Sequence, residues 1–67
     1  MIELSINGES KQLAPHTSVA QLIEQMNLAG KRVAVERNGE IVPRSQHAAV
    51  ELLSGDRLEI VVAVGGG

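Results

Sequence analysis

Three consecutive glycines, Gly65, Gly66 and Gly67, close the sequence. Gly8, Gly30, Gly39 and Gly55 fall where turns or a helix cap are expected, so backbone conformation accounts for those four. The terminal three have no such duty. A tail without side chains can thread a narrow channel and lay its backbone against the walls. The group it would deliver is the α-carboxylate of Gly67. A carboxylate is a poor electrophile, because resonance and negative charge repel nucleophiles. Conversion to an acyl-adenylate would supply a leaving group, and a sulfur nucleophile displacing AMP would leave a thiocarboxylate. The chain has no cysteine, so a side-chain persulfide is excluded and the C-terminus is left as the covalent site. The competing reading is a frayed end or a piece of linker. Against it stands the apolar strand that runs straight into the glycines and would make them project.

Other chemistry is poorly represented. His16 and His47 are the two histidines, each in an expected loop with no acidic cluster nearby, and both are read as solvent-exposed rather than as metal ligands. Ser5, Ser10, Ser18, Ser45 and Ser54 lack a nucleophile-elbow context. The internal glycines are isolated, so no phosphate-cradling loop forms. With no aromatic residue to stack on bases and a net charge of −2, nucleic-acid binding is not expected. The apolar run Ile60 to Val64 is far too short for a membrane span, and Met1 leads directly into strand-like sequence without an export signal. A cytoplasmic protein without membrane association is expected. It has no active site of its own and reads as a substrate of other enzymes.

The elements that must position the tail follow from periodicity. Sixty-seven residues allow one domain, here 1–64, followed by the tail 65–67. Without disulfides or aromatic rings, the core must be aliphatic. Ile2, Leu4 and Ile6 alternate with polar residues, Asn7-Gly8 is a tight hairpin, and Glu9 to Ala14 is the return strand. Val19, Leu22, Ile23 and Met26 share one helical face, which predicts a helix from Val19 to Leu28. Ser18 and Gln21 form its capping box, Thr17 is a rival N-cap, and Gly30 is the C-cap. Val33 and Val35 mark a third strand, Asn38-Gly39 a second hairpin into Ile41 and Val42, and Ser45 to Glu51 a short helical turn. After Gly55-Asp56, residues Leu58, Ile60, Val62 and Val64 alternate toward the helix, and this long apolar strand is placed inside the sheet. Hairpin, helix, hairpin, crossover and final strand assemble into an α+β, ubiquitin-like β-grasp, a mixed sheet of about five strands on one helix. Val61 and Ala63 then face away from the helix, where an apolar spot beside the tail suits docking onto a partner.

The chain closely resembles the ThiS family, the sulfur carriers of thiamin thiazole biosynthesis. The likeness runs through Thr17-Ser18-Val19, Val33-Ala34-Val35-Glu36, Asn38-Gly39-Glu40-Ile41-Val42-Pro43-Arg44, Gly55-Asp56-Arg57-Leu58-Glu59-Ile60-Val61 and the terminal glycines. The resemblance implies that a ThiF-type, ubiquitin-activating-like adenylyltransferase uses ATP and magnesium to adenylate Gly67, with Gly65 and Gly66 threading its active site. Sulfur from a cysteine desulfurase or related donor would then give the thiocarboxylate (1-thioglycine), and a ThiG-type thiazole synthase would take it. No cofactor is expected on the chain itself, and no metal. Two alternatives are the small subunit of molybdopterin synthase, whose members are usually longer and carry aromatic residues, and a ubiquitin-like modifier or interaction module.

Overall fold

The computed structural model describes residues 1–63. Strands β1 (Ile2–Ile6) and β2 (Glu9–Leu13) form the first hairpin, followed by helix α1 (Val19–Gln25). Strands β3 (Val33–Arg37) and β4 (Glu40–Val42) form the second hairpin, then come a 3₁₀ turn at Arg44–Gln46 and strand β5 (Arg57–Val62). The sheet order is β2-β1-β5-β3-β4, so the last strand lies at the centre as its apolar alternation predicts. It runs parallel to β1 and antiparallel to β3. This is the expected β-grasp. Both Asn-Gly turns place their two residues at positive φ, 51° and 84° at Asn7 and Gly8, 53° and 86° at Asn38 and Gly39. That is the geometry whose twist matches paired strands.

Helix α1 starts as its sequence dictates. The Ser18 hydroxyl accepts from the Gln21 amide, and the Gln21 side chain accepts from the Ser18 amide, a complete capping box. Thr17 is no cap; its hydroxyl donates to the Ala14 carbonyl. The helix stops at Gln25, earlier than the predicted Leu28, because Asn27 takes the left-handed conformation (φ 60°) that the sequence pattern places at Gly30. Asn27 N–H donates to Glu24 O and Leu28 N–H to Ile23 O, each at 3.0 Å. The pair is a Schellman ending with asparagine in the glycine position. Gly30 (φ 84°) belongs to the loop that follows.

The helix covers one face of the sheet. Leu4, Ile6, Val35, Leu58 and Ile60 from the strands meet Val19, Leu22 and Ile23 from α1, and Leu52 closes the core at 1% exposure. The opposite face has no covering element among the described residues. No helix among them is long and apolar enough to cross a membrane.

Candidate functional site

The three terminal glycines follow β5 closely in sequence, so the site is built on what holds that strand. On one side β5 pairs with β3 along its length, from Leu58 opposite Arg37 to Val62 opposite Val33. One more bond follows, from Ala63 N–H to Arg32 O at 2.8 Å. On the other side β1 pairs only as far as Ile6 opposite Leu58, and Asn7 N–H adds a bond to Leu58 O at 2.8 Å. Where β1 turns away, the Asn7 side chain takes over. Its Oδ1 accepts from Ile60 N–H at 2.8 Å and its Nδ2 donates to Ile60 O at 3.1 Å. The carboxamide imitates a peptide group and extends the ladder by one rung.

The second turn asparagine braces the start of the same strand. Asn38 Oδ1 accepts from Arg57 N–H at 2.9 Å, and Asn38 Nδ2 donates to Asp56 Oδ1 at 3.1 Å. Asp56, 5% exposed, also accepts from Arg37 Nε at 2.8 Å and from Leu53 N–H at 2.9 Å. Burial by itself raises the pKa of this carboxyl. The hydrogen bonds from Arg37, Leu53 and Asn38, with the Arg37 charge, outweigh burial and leave it below the ordinary carboxylate value. Asparagines that signal turns in the sequence, and an aspartate that does the same, therefore brace the start and the middle of the strand that precedes the glycines. An Asn-Gly pair signals a turn; the partner of its amide, 53 residues away at Ile60, leaves no local trace.

Val61 is 61% exposed and lies opposite Ala34, also exposed, so the open-face assignment of Val61 holds, and Ala63 is exposed as well. Ile41, 65% exposed, lies opposite Glu36, and Glu36 lies opposite Glu59. On this face the apolar pair Val61 and Ala34 is therefore bordered by a row of two carboxylates that ends in Ile41 on β4. Val62, expected to face the helix, remains 36% exposed, because the core tapers beyond Ile60. Gly65, Gly66 and Gly67, the inward face proposed for Val64 and the boundary at 64 lie outside the described residues.

The two histidines part company. His16 is exposed, with Nδ1 at 3.1 Å from Glu51 Oε2. His47 corrects its assignment as a solvent-exposed loop residue. It is 9% exposed, with Nε2 at 3.2 Å from the Val42 carbonyl, and its own carbonyl accepts from Ala20 N–H. It pins the 3₁₀ segment to β4 and α1, a role hidden by the lack of periodicity in that stretch. No group of three or more potential metal ligands converges among the described residues.

Comparison with known proteins agrees with this architecture. A profile described as the ThiS family matches residues 4–67. The chain is 40% identical over 65 residues to the sulfur carrier protein ThiS of Bacillus subtilis, covering 96% of this chain and 98% of that protein. It is 44% identical over 66 residues to a thiazole synthase of Paramagnetospirillum magneticum, covering 98% of this chain. It spans only 20% of that protein's length, and likewise 20% of a thiazole synthase from Magnetococcus marinus at 35% identity. In structure it is similar to the thiamine biosynthesis protein ThiS of Geobacter metallireducens, with a TM-score of 0.82 and 30% identity over 98% of this chain and 100% of the other. A five-stranded grasp around one helix, a central strand braced toward a glycine ending, and a profile match from Leu4 onward agree: this chain belongs to the ThiS family.

Proposed function

We propose that this chain is a sulfur carrier of thiamin biosynthesis, a protein co-substrate rather than an enzyme, whose working group is the carboxylate of Gly67. The observation that carries the reading is the end-to-end match to the Bacillus subtilis sulfur carrier. A ThiF-type adenylyltransferase, using ATP and magnesium, adenylates the carboxylate. Sulfur from a cysteine desulfurase or related donor displaces AMP and leaves a thiocarboxylate, which a ThiG-type thiazole synthase consumes. The thiazole synthases, a fifth of whose length resembles this chain, support that last partnership. The setting for this chemistry is the cytoplasm.

The chain's own residues supply position. Asn7 and Asn38 hold β5 in place, so the tail starts from a fixed point. Gly65 and Gly66 leave the backbone free to follow a narrow channel. Val61 and Ala63, exposed beside the tail, give the partner an apolar hold.

Intact-mass measurement on protein from thiamin-producing cells tests this directly. Replacement of one terminal oxygen by sulfur adds about 16 Da, a covalent change that fragmentation must place on Gly67 rather than on Met1 or Met26 as oxidation. Deletion of Gly66 and Gly67 should abolish ATP–pyrophosphate exchange by the adenylating enzyme while leaving the thermal melt nearly unchanged. Undiminished exchange would remove Gly67 from its assigned role.

A further inference from the structure

A groove of about 290 Å³ runs between α1 and the segment that follows β4, on the covered side of the sheet and away from Val61. Its floor is apolar, with Ile23 and Leu28 from the helix ending and Val33 from the start of β3. Lys31 and Arg44 stand at the rim with Glu24, and neither cation has an ion-pair partner among the described residues. His47 lines the groove too. Its Nε2 faces a carbonyl, which can only accept, so Nε2 is the donor to Val42. Nδ1 has no partner among the described residues, and no fully buried side-chain nitrogen or oxygen there lacks one. Nδ1 of this nine-tenths-buried residue therefore keeps some exposure, and His47 is one of the residues lining the groove.

We propose that this groove is a docking site for an extended segment of a partner protein that carries an aliphatic side chain flanked by carboxylates. The aliphatic group covers Ile23, Leu28 and Val33. The carboxylates meet Lys31 and Arg44, and a backbone polar group of the segment meets the unpartnered His47 Nδ1. A peptide offers all three features at once, and two cations against one Glu24 select acidic over basic segments. The surface is separate from the sheet face beside the tail and does not depend on the tail's chemistry.

The test titrates the isotope-labelled full chain with the capped tripeptide acetyl-aspartyl-leucyl-aspartyl-amide and follows methyl and imidazole resonances by NMR. The expected result is saturable shifts at the methyls of Ile23, Leu28 and Val33 and at His47 Nδ1 in the millimolar range. Affinity should fall about tenfold in the Lys31→Glu/Arg44→Glu double variant, and similarly for the asparaginyl peptide, since two charge contacts are lost. Both replaced side chains are exposed, so an unchanged thermal melt should accompany the loss. Absence of shifts at the groove methyls, shifts confined to the open sheet face, or equal binding by the charge-reversed variant would each overturn the proposal.

Discussion

Replacing Asn7 by glycine isolates the carboxamide that extends the β1 ladder. Glycine accepts the φ of 51° found at this position, so the turn itself survives. What disappears is the pair of bonds to Ile60, at 2.8 and 3.1 Å. Two such bonds contribute about 1–3 kcal/mol net, and the added backbone freedom costs about 0.5–1 kcal/mol more. The total, about 1.5–4 kcal/mol, is a large share of the about 3–10 kcal/mol expected for a chain of this size. Asn7→Asp is the companion variant: it keeps the acceptor for Ile60 N–H but sets a carboxylate oxygen against Ile60 O, so it should not recover the stability lost in Asn7→Gly. Urea unfolding measures the loss, and amide hydrogen exchange localises it to Ile60. A change below about 0.5 kcal/mol, the size of ordinary surface substitutions, together with unaltered exchange at Ile60, would show that the side chain does not brace the strand.

Three further outcomes follow from the same structure. Val61→Glu should fold normally and weaken binding to the adenylating enzyme in titration calorimetry, whereas Ile60→Glu should unfold the domain by burying a charge; equal unfolding by both would refute the assignment of faces on β5. The folded-state pKa of Asp56 is depressed, so its stabilisation is complete above the unfolded value of about 3.9 and is lost as pH falls through the lower folded value; Asp56→Asn should flatten that acid limb of the stability curve, read by urea unfolding at stepped pH. Ser18→Ala removes the hydroxyl that accepts from Gln21 N–H, keeps the backbone N–H that donates to Gln21 Oε1, and should cost about 1 kcal/mol in the same assay.

The parts legible in the sequence were those written in local pattern. Alternation in Leu58 and Ile60 revealed the central strand, and Ser18 with Gln21 revealed the helix start, because each signal is complete within a few residues. The helix end was misread because glycine is the commoner left-handed residue, yet Asn27 came first along the chain and served. His47 was misread because its burial is decided by Val42 and Ala20, which only the folded chain brings beside it. The surface around Val61 is legible only in part, since Ala34 joins it through strand register.

The pairing of β5 also determines how the domain answers a mechanical load. β1 and β5 are parallel, so the start of the chain and the end of β5 point in opposite directions along the sheet. A pull at Ala63 against the N-terminus loads the rungs between β1 and β5 in shear, all at once, rather than peeling them one by one. The antiparallel partner β3 resists the same pull along its five registered pairs. A load applied at Ala63 would therefore strain the β1–β5 and β5–β3 bonds together rather than one after another.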